Sequence, residues 1–287
     1  MSLSALLLVI AAAILHAIWN LVTKQVGGKL PFFWVIGAMS SVICLPFVVW
    51  QMIDQHITLT LTVWMFAGVS ALLHIFYFLT LQVGYRKADL SIVYPLARGS
   101  GPLISVTGAI IFFNEKPGAL ALVGVLLIIV GVLIMTGLQF KKSSDARMRA
   151  GLIYGSLTGL FIAGYTLWDR LAVVNNHVSG LLITFASMLF PLLLLTPIAI
   201  KESKEVKREI RQHWKQALVI AVCQPLSYLL VLVALKTTPL SYVAPTRELS
   251  IVFGVFFGTN LLKEADAKKR IIGSLVMLAG IVILALN

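Results

Sequence analysis

The chain has 287 residues, 59% of them apolar and 12% charged, with a formal charge of +12. Apolar runs of about 20 residues recur along its whole length, the length a helix needs to cross a bilayer core, so the sequence describes an all-α membrane protein with no room for a soluble domain. The basic excess lies in short loops beside these runs, where topology accounts for it and a nucleic-acid partner does not. Cys44 and Cys223 fall within the runs with no Cys or His at ligand spacing, which argues against a disulfide framework or a metal site.

Ten transmembrane helices are expected. Span 1 (3–23) opens on Met-Ser-Leu-Ser without a basic leader, so it reads as a retained helix rather than a cleaved signal; it carries His16, Trp19 and Asn20 at i, i+3, i+4 on one face. Spans 2 (31–52) and 3 (61–83) follow, and His74 and Tyr77 align on the third. Span 4 (90–113) holds Ser91, Tyr94 and Arg98 at i, i+3, i+7, and its Pro95, Gly99, Gly101 and Pro102 predict a break around the arginine. After span 5 (118–138) comes span 6 (149–170), where Tyr165, Trp168 and Asp169 share a face, Asp169 lying near the wet end. Span 7 (178–200) leads through a charged stretch, 201–215, expected to be an interfacial helix, into span 8 (215–236) with Gln224, Ser227 and Tyr228. Spans 9 (240–262) and 10 (269–286) close the chain, with Arg247 and Glu248 inside the ninth.

Eighteen of the 23 Lys and Arg residues lie in the loops after spans 1, 3, 5, 7 and 9. Only Lys116, Arg170 and Lys236 lie in the others. By the positive-inside rule both termini are then non-cytoplasmic, and the protein is expected in the cell inner (plasma) membrane.

A shift of 149 to 150 residues superposes one half of the sequence on the other. Leu90-Ser91-x-Val93-x-Pro95 recurs as Leu240-Ser241-x-Val243-x-Pro245, and Ser100 meets Ser250. His16-x-x-Trp19-Asn20 meets Tyr165-x-x-Trp168-Asp169, Gly124-x6-Gly131 meets Gly273-x6-Gly280, and Glu115 meets Glu264. The expected organisation is a first repeat at 1–140, a cytoplasmic linker at 141–148 and a second repeat at 149–287. Five spans is an odd number, so the second repeat enters the membrane with opposite polarity. Inverted repeats of this kind mark secondary transporters, with the site between the halves near mid-membrane.

The same shift places Glu248 opposite Arg98. Each lies about eight residues into its span, hence about 12 Å from opposite faces; in a core about 30 Å thick their depths differ by about 6 Å, which two long side chains can bridge. An intramembrane arginine costs at least about 2.5 to 3.5 kcal/mol and marks a transport pathway or a structural pair. On the functional reading Arg98 receives an acid group and Glu248, helped by His16 or His74, exchanges protons. The candidate binding face comprises Arg98, Glu248, Tyr94, His16, Trp19, Asn20, His74, Tyr77, Tyr165, Trp168, Asp169, Gln224, Tyr228 and Arg247. Small-residue stripes, Gly151-x3-Gly155-x3-Gly159 with Ala163 and Gly254-x3-Gly258, predict close helix packing, and Glu115 and Glu264 read as boundary charges.

The ten spans, the five-plus-five repeat, the proline-bearing fourth and ninth spans and the Asn-Glu and Lys-Glu at their ends resemble the EamA family of the drug/metabolite transporter superfamily. The resemblance covers nearly the whole chain and implies a carrier for small metabolites, often an exporter, working by alternating access. The His-Ala-x-Trp-Asn and Tyr-Pro-x-Ala-Arg-Gly-Ser segments are similar to a branch with some members linked to phosphonate metabolism. The expected function is secondary transport of an anionic or zwitterionic metabolite, with proton coupling and no cofactor. A monomer is compatible with the sequence. Two rivals stand: an exporter of cationic drugs using Glu248 as a shared site, and an intramembrane enzyme, for which no hydrolase or metalloprotease motif is present.

Overall fold

The computed structural model describes residues 1–26, 30–88, 90–136, 145–254 and 267–286. Among them every regular element is a helix. The first half comprises α1 (Leu3–Val26), α2 (Leu30–Asp54), α3 (Leu61–Lys87), α4 (Leu90–Phe113) and α5 (Ala119–Thr136). The second comprises α6 (Asp145–Arg170), continued by a π-helical turn at Leu171–Asn175, then α7 (Gly180–Lys201), α8 (Ser203–Ala234), α9 (Leu240–Thr246), α10 (249–254) and α11 (Ala267–Leu286). Seven of these, α1 to α4 and α6 to α8, are long and apolar enough to cross a membrane. α5 and α11 are apolar but shorter.

Sequence chemistry sets the ends and bends. Thr60 and Ser179 cap α3 and α7 by accepting from the amides of Val63 and Leu182. The charged stretch before span 8 is helical, as expected, and merges into α8 across a kink at His213 (φ −128°, ψ 20°). Pro225, inside α8, has no N–H for the carbonyl of Ala221, and the buried Ser40 hydroxyl of α2 donates to that oxygen at 3.2 Å instead. Proline bends and hydroxyl repairs thus lock α2 to α8.

The packing follows the repeat. α1 lies against α8 and α3 against α6, which are equivalent pairs, and α2 packs on its own equivalent, α7. α5 packs on its equivalent α11 through the predicted glycines: a Cβ on Gly124 would sit 2.8 Å from the Gly280 carbonyl oxygen, and one on Gly131 would sit 2.7 Å from that of Gly273. Low numbers on one helix meet high numbers on the other, so the two run antiparallel, and the exchanged pairing is what a two-fold axis between the halves produces. Gly155 and Gly159 of α6 likewise let α4 approach, a Cβ on Gly155 falling 2.8 Å from Leu96 Cβ. At Gly254 no described residue lies within 4 Å of a Cβ.

Three expectations change. α4 runs unbroken through Pro95 and Pro102, and the break falls instead at its equivalent, where Arg247 and Glu248 form a turn between α9 and α10. The linker expected at 141–148 is helical from Asp145 onward. Asp169 is not wet but fully buried. Lys29, residues 137–144 and residues 255–266, which hold the expected end of span 9 with Gly258, Lys263 and Glu264, lie outside the described residues.

Candidate functional site

The turn between α9 and α10 is built by its sequence. Pro245 cannot donate to the Ser241 carbonyl, and the chain tightens into i to i−3 bonds: Glu248 N to Pro245 O (3.0 Å), Ser250 N to Arg247 O (3.2 Å) and Ile251 N to Glu248 O (2.9 Å). Two charged residues are thereby delivered to the middle of the bundle. The α9 N-terminus is fixed from the other half, because both oxygens of Glu115 accept from backbone amides, Leu240 N and Ser241 N, at 2.9 Å each. Arg170 Nη2 lies 3.6 Å from the same carboxylate, and its guanidinium covers the Phe113 ring at 3.8 Å. Glu115, read from sequence as a boundary charge, is a cap on a helix that begins at Leu240 and whose own N-cap residue, Pro239, supplies no capping side chain.

Arg98 and Glu248 meet. Arg98 Nε lies 3.1 Å from Glu248 Oε2, with Glu248 1% exposed and Arg98 15%. These two atoms are in ionic contact without hydrogen-bond alignment; the guanidinium instead donates from Nη2 to Ser250 Oγ at 3.0 Å. Equivalent positions can touch only on a two-fold axis, so this pair marks where the axis of the halves crosses the site. Tyr94, Tyr77 and Tyr165 lie within electrostatic range of Arg98.

Arg247 is placed differently. It makes no hydrogen bond or ion pair with a described residue, and lies within electrostatic range of Tyr165, Glu248, Arg98 and Tyr228. Around it stands an aromatic box: His74 stacks on Tyr165 at 4.0 Å, Tyr228 meets the His74 edge at 5.3 Å, and Tyr77 meets Tyr165 at 5.9 Å. His74 Nδ1 is held by the Ser70 carbonyl at 2.9 Å. His16 lies within range of both arginines and packs edge-on against Trp19 at 4.9 Å.

Beside the box lies a second buried carboxylate. Tyr228 Oη donates to Asp169 Oδ2. The Ser70 hydroxyl is the second side chain set against this carboxylate. No cation pairs with it among the described residues.

The structure thus gathers Arg98, Glu248, Arg247, Tyr94, Tyr77, Tyr165, His74, Tyr228, Asp169 and His16. It does not bring in the rest. Trp168 is a packing residue, its indole N–H donating to the Phe66 carbonyl at 3.0 Å and its ring lying against Phe66. Asn20 is exposed and bonds its own turn at the His16 carbonyl. Trp19 packs partly into the Phe32, Val35 and Ile220 cluster, and Gln224 is half-buried on α8 without a described polar partner. Ser70 and Ser250 went unassigned to the site in the sequence, although Ser70 stands four residues before His74 and Ser250 two after Glu248.

Two repeats of helices closing over a shared charged and aromatic cluster define a multi-pass membrane protein of two-repeat architecture. The chain belongs to the EamA-like transporter family, whose model matches twice, at residues 3–137 and 149–286. This is a family of the drug/metabolite transporter superfamily, and its members are membrane transporters. A solved structure titled only "Crystal structure of protein" is similar over 100% of this chain and 98% of its own, with a TM-score of 0.78 at 13% sequence identity, a likeness of fold. No curated protein gives a significant match.

Proposed function

We propose that this protein is a secondary active transporter of a small polar metabolite, anionic or zwitterionic, working by alternating access and coupled to protons. Its ten helices cross the cell inner (plasma) membrane as two inverted five-helix repeats, with both termini outside the cytoplasm. The observation that carries the reading is the contact of Arg98 with Glu248 from equivalent positions of the two halves, next to an Arg247 with no described partner. Arg98 is neutralised by its neighbour, so the acid group of the substrate goes first to Arg247, inside the box of Tyr77, Tyr165, Tyr228 and His74. A proton reaching Glu248 releases Arg98, which then joins the substrate and loosens the halves so that they rock. Export is the direction the family resemblance implies.

Asp169 favours a second reading of where the proton rides. It is a buried carboxylate with only neutral hydroxyls, those of Tyr228 and Ser70, against it and no cation beside it among the described residues, whereas Glu248 already has a counter-ion. The cationic-drug reading is weaker, since two arginines stand in the site and Glu248 is engaged by one of them.

The test is a thermal-shift panel of short carboxylates, aminoalkylphosphonates and organic cations on purified protein, followed by flux of the stabilising compounds in proteoliposomes. Acids or zwitterions should stabilise the wild type. Arg247→Gln should weaken them about 10- to 100-fold, the worth of a charge-assisted bond of about 1.5–3 kcal/mol, with its own unfolding temperature little changed. Stabilisation by organic cations alone would overturn the substrate class. Flux that keeps its dependence on a proton gradient in Glu248→Gln but loses it in Asp169→Asn assigns the proton to Asp169.

A further inference from the structure

Two adjoining cavities lie away from the charged cluster, at the ends of α2 and α8 and the start of α7. The first, about 540 Å³, is an apolar groove walled by Phe47 and Trp50 of α2, Leu181 of α7, and Val222, Leu226 and Leu229 of α8. Phe47, Trp50, Val222 and Leu226 are exposed, so the groove opens toward the lipid rather than toward the interior. The second, about 370 Å³, is polar and adjoins the first at three shared residues, Gln51, Ser179 and Lys236. It collects Gln55, Thr60, Asn176 and His177 from the loops at that end of the bundle.

The polar end has spare donors and one charge. Ser179 donates to Gln51 Oε1 at 2.6 Å and Gln51 Nε2 donates to Gln55 Oε1 at 3.2 Å, which leaves both N–H groups of Gln55 unused in this chain of bonds. Lys236 is exposed and makes no side-chain hydrogen bond or ion pair with a described residue. Among the described residues no Asp or Glu lines either cavity. A lipid-facing apolar channel that ends in a cation and amide donors at the level of the helix ends has the order of parts of an anionic phospholipid, chain first and phosphate after it.

We propose that this composite groove is a binding site for one anionic phospholipid, an acyl chain lying between α2, α7 and α8 with its phosphate on Lys236 and Gln55. The site does not depend on the transport reading. Glycerophosphate and zwitterionic lipids share part of the chemistry, and each is an arm of the test.

The experiment is native mass spectrometry with thermal unfolding of delipidated, detergent-purified protein, titrated with palmitoyl-oleoyl phosphatidylglycerol, with phosphatidylcholine of the same chains, and with glycerol 3-phosphate. The expected result is retention of one phosphatidylglycerol, preferred over phosphatidylcholine by about fivefold, the worth of one lysine at an anionic headgroup. Lys236→Ala should erase that preference while chain-dependent retention persists; Leu226→Trp, which fills the groove from a lipid-exposed position, should lose retention of both lipids. Should Leu226→Trp unfold, Val222→Trp on the same wall takes its place. Equal binding of the two lipids by the wild type, an unchanged preference in Lys236→Ala, or glycerol 3-phosphate binding as well as the lipid would each overturn the proposal.

Discussion

The stretches 90–102 and 240–252 share Leu-Ser-x-Val-x-Pro and equivalent places in the two halves, yet one is a continuous helix and the other breaks. Proline alone does not decide this, because the continuous stretch has two prolines and the broken one has one. The neighbour decides. α4 is clasped along Leu96 to Gly101 by the glycine stripe of α6, and Gly159 approaches so closely that a Cβ there would lie 3.0 Å from the Gly101 amide nitrogen. Shifted by 149 residues, Gly155 and Gly159 correspond to Leu6 and Ile10 of α1, so α1 meets the broken stretch through side chains and not through a glycine stripe: Val9 and Ala12 share a core cluster with Leu240, Val243 and Ala244, and Ile10 packs on the one that holds Leu249 and Ile251. An unclasped helix yields at its proline. The yielding gives the second half a turn that presents Arg247, while the clasped first half presents only Arg98.

The largest effect should come from removing one side of the bridge between these stretches. Arg98→Ala leaves Glu248 as an unpaired charge 1% exposed, a loss of about 3–5 kcal/mol. The double variant Arg98→Ala, Glu248→Ala leaves no stranded charge and should recover much of it. Denaturant unfolding in detergent reads both, and a double variant as unstable as the single would mean that the bridge carries more than charge pairing.

The clasp can be broken next. Gly155→Val drives a side chain into Leu96 and the Val93 carbonyl and should cost about 1–3 kcal/mol. Amide exchange around Pro95 and Pro102 should rise with it. Exchange that stays slow there would show that α4 holds through its prolines unaided.

The cap on the broken stretch is a smaller handle. Glu115→Ala frees the amides of Leu240 and Ser241 and should cost about 0.5–2 kcal/mol, with Arg170 losing its carboxylate neighbour but keeping its bond to Asn175. Glu115→Gln keeps an acceptor and should fall between the variant and the wild type in the same unfolding measurement.

Particular residues show how much of this could be read beforehand. The pairing of Arg98 with Glu248 followed from repeat arithmetic and depth, because a two-fold axis brings equivalent positions together. The α6 glycines and the helical state of the charged stretch before span 8 followed from spacing and charge pattern. What stayed hidden depends on partners far away in sequence. Asp169 is buried because Tyr228, 59 residues on, closes over it; Trp168, one residue earlier, turns to Phe66, 102 residues back. That Arg98 is bonded while Arg247 has no hydrogen-bond or ion-pair partner among the described residues is set by which of two similar helices breaks, and that is decided by α1 and α6 rather than by either stretch itself.

The smallest effect sharpens the same comparison at a third proline. Pro225 bends neither like α4, clasped by glycines, nor like α9, which opens; its freed Ala221 carbonyl is taken up by Ser40 Oγ from α2. Ser40→Ala removes the donor with little change of volume and leaves that buried carbonyl short of a partner, a loss of about 1 kcal/mol. The cost should appear in the unfolding of the whole protein and in faster exchange of the amides around Pro225, with α4 and α9 undisturbed. If the loss is absent, then the helix around Pro225 is held by packing, as α4 is, and hydroxyl repair is not a separate way of carrying a proline through this bundle.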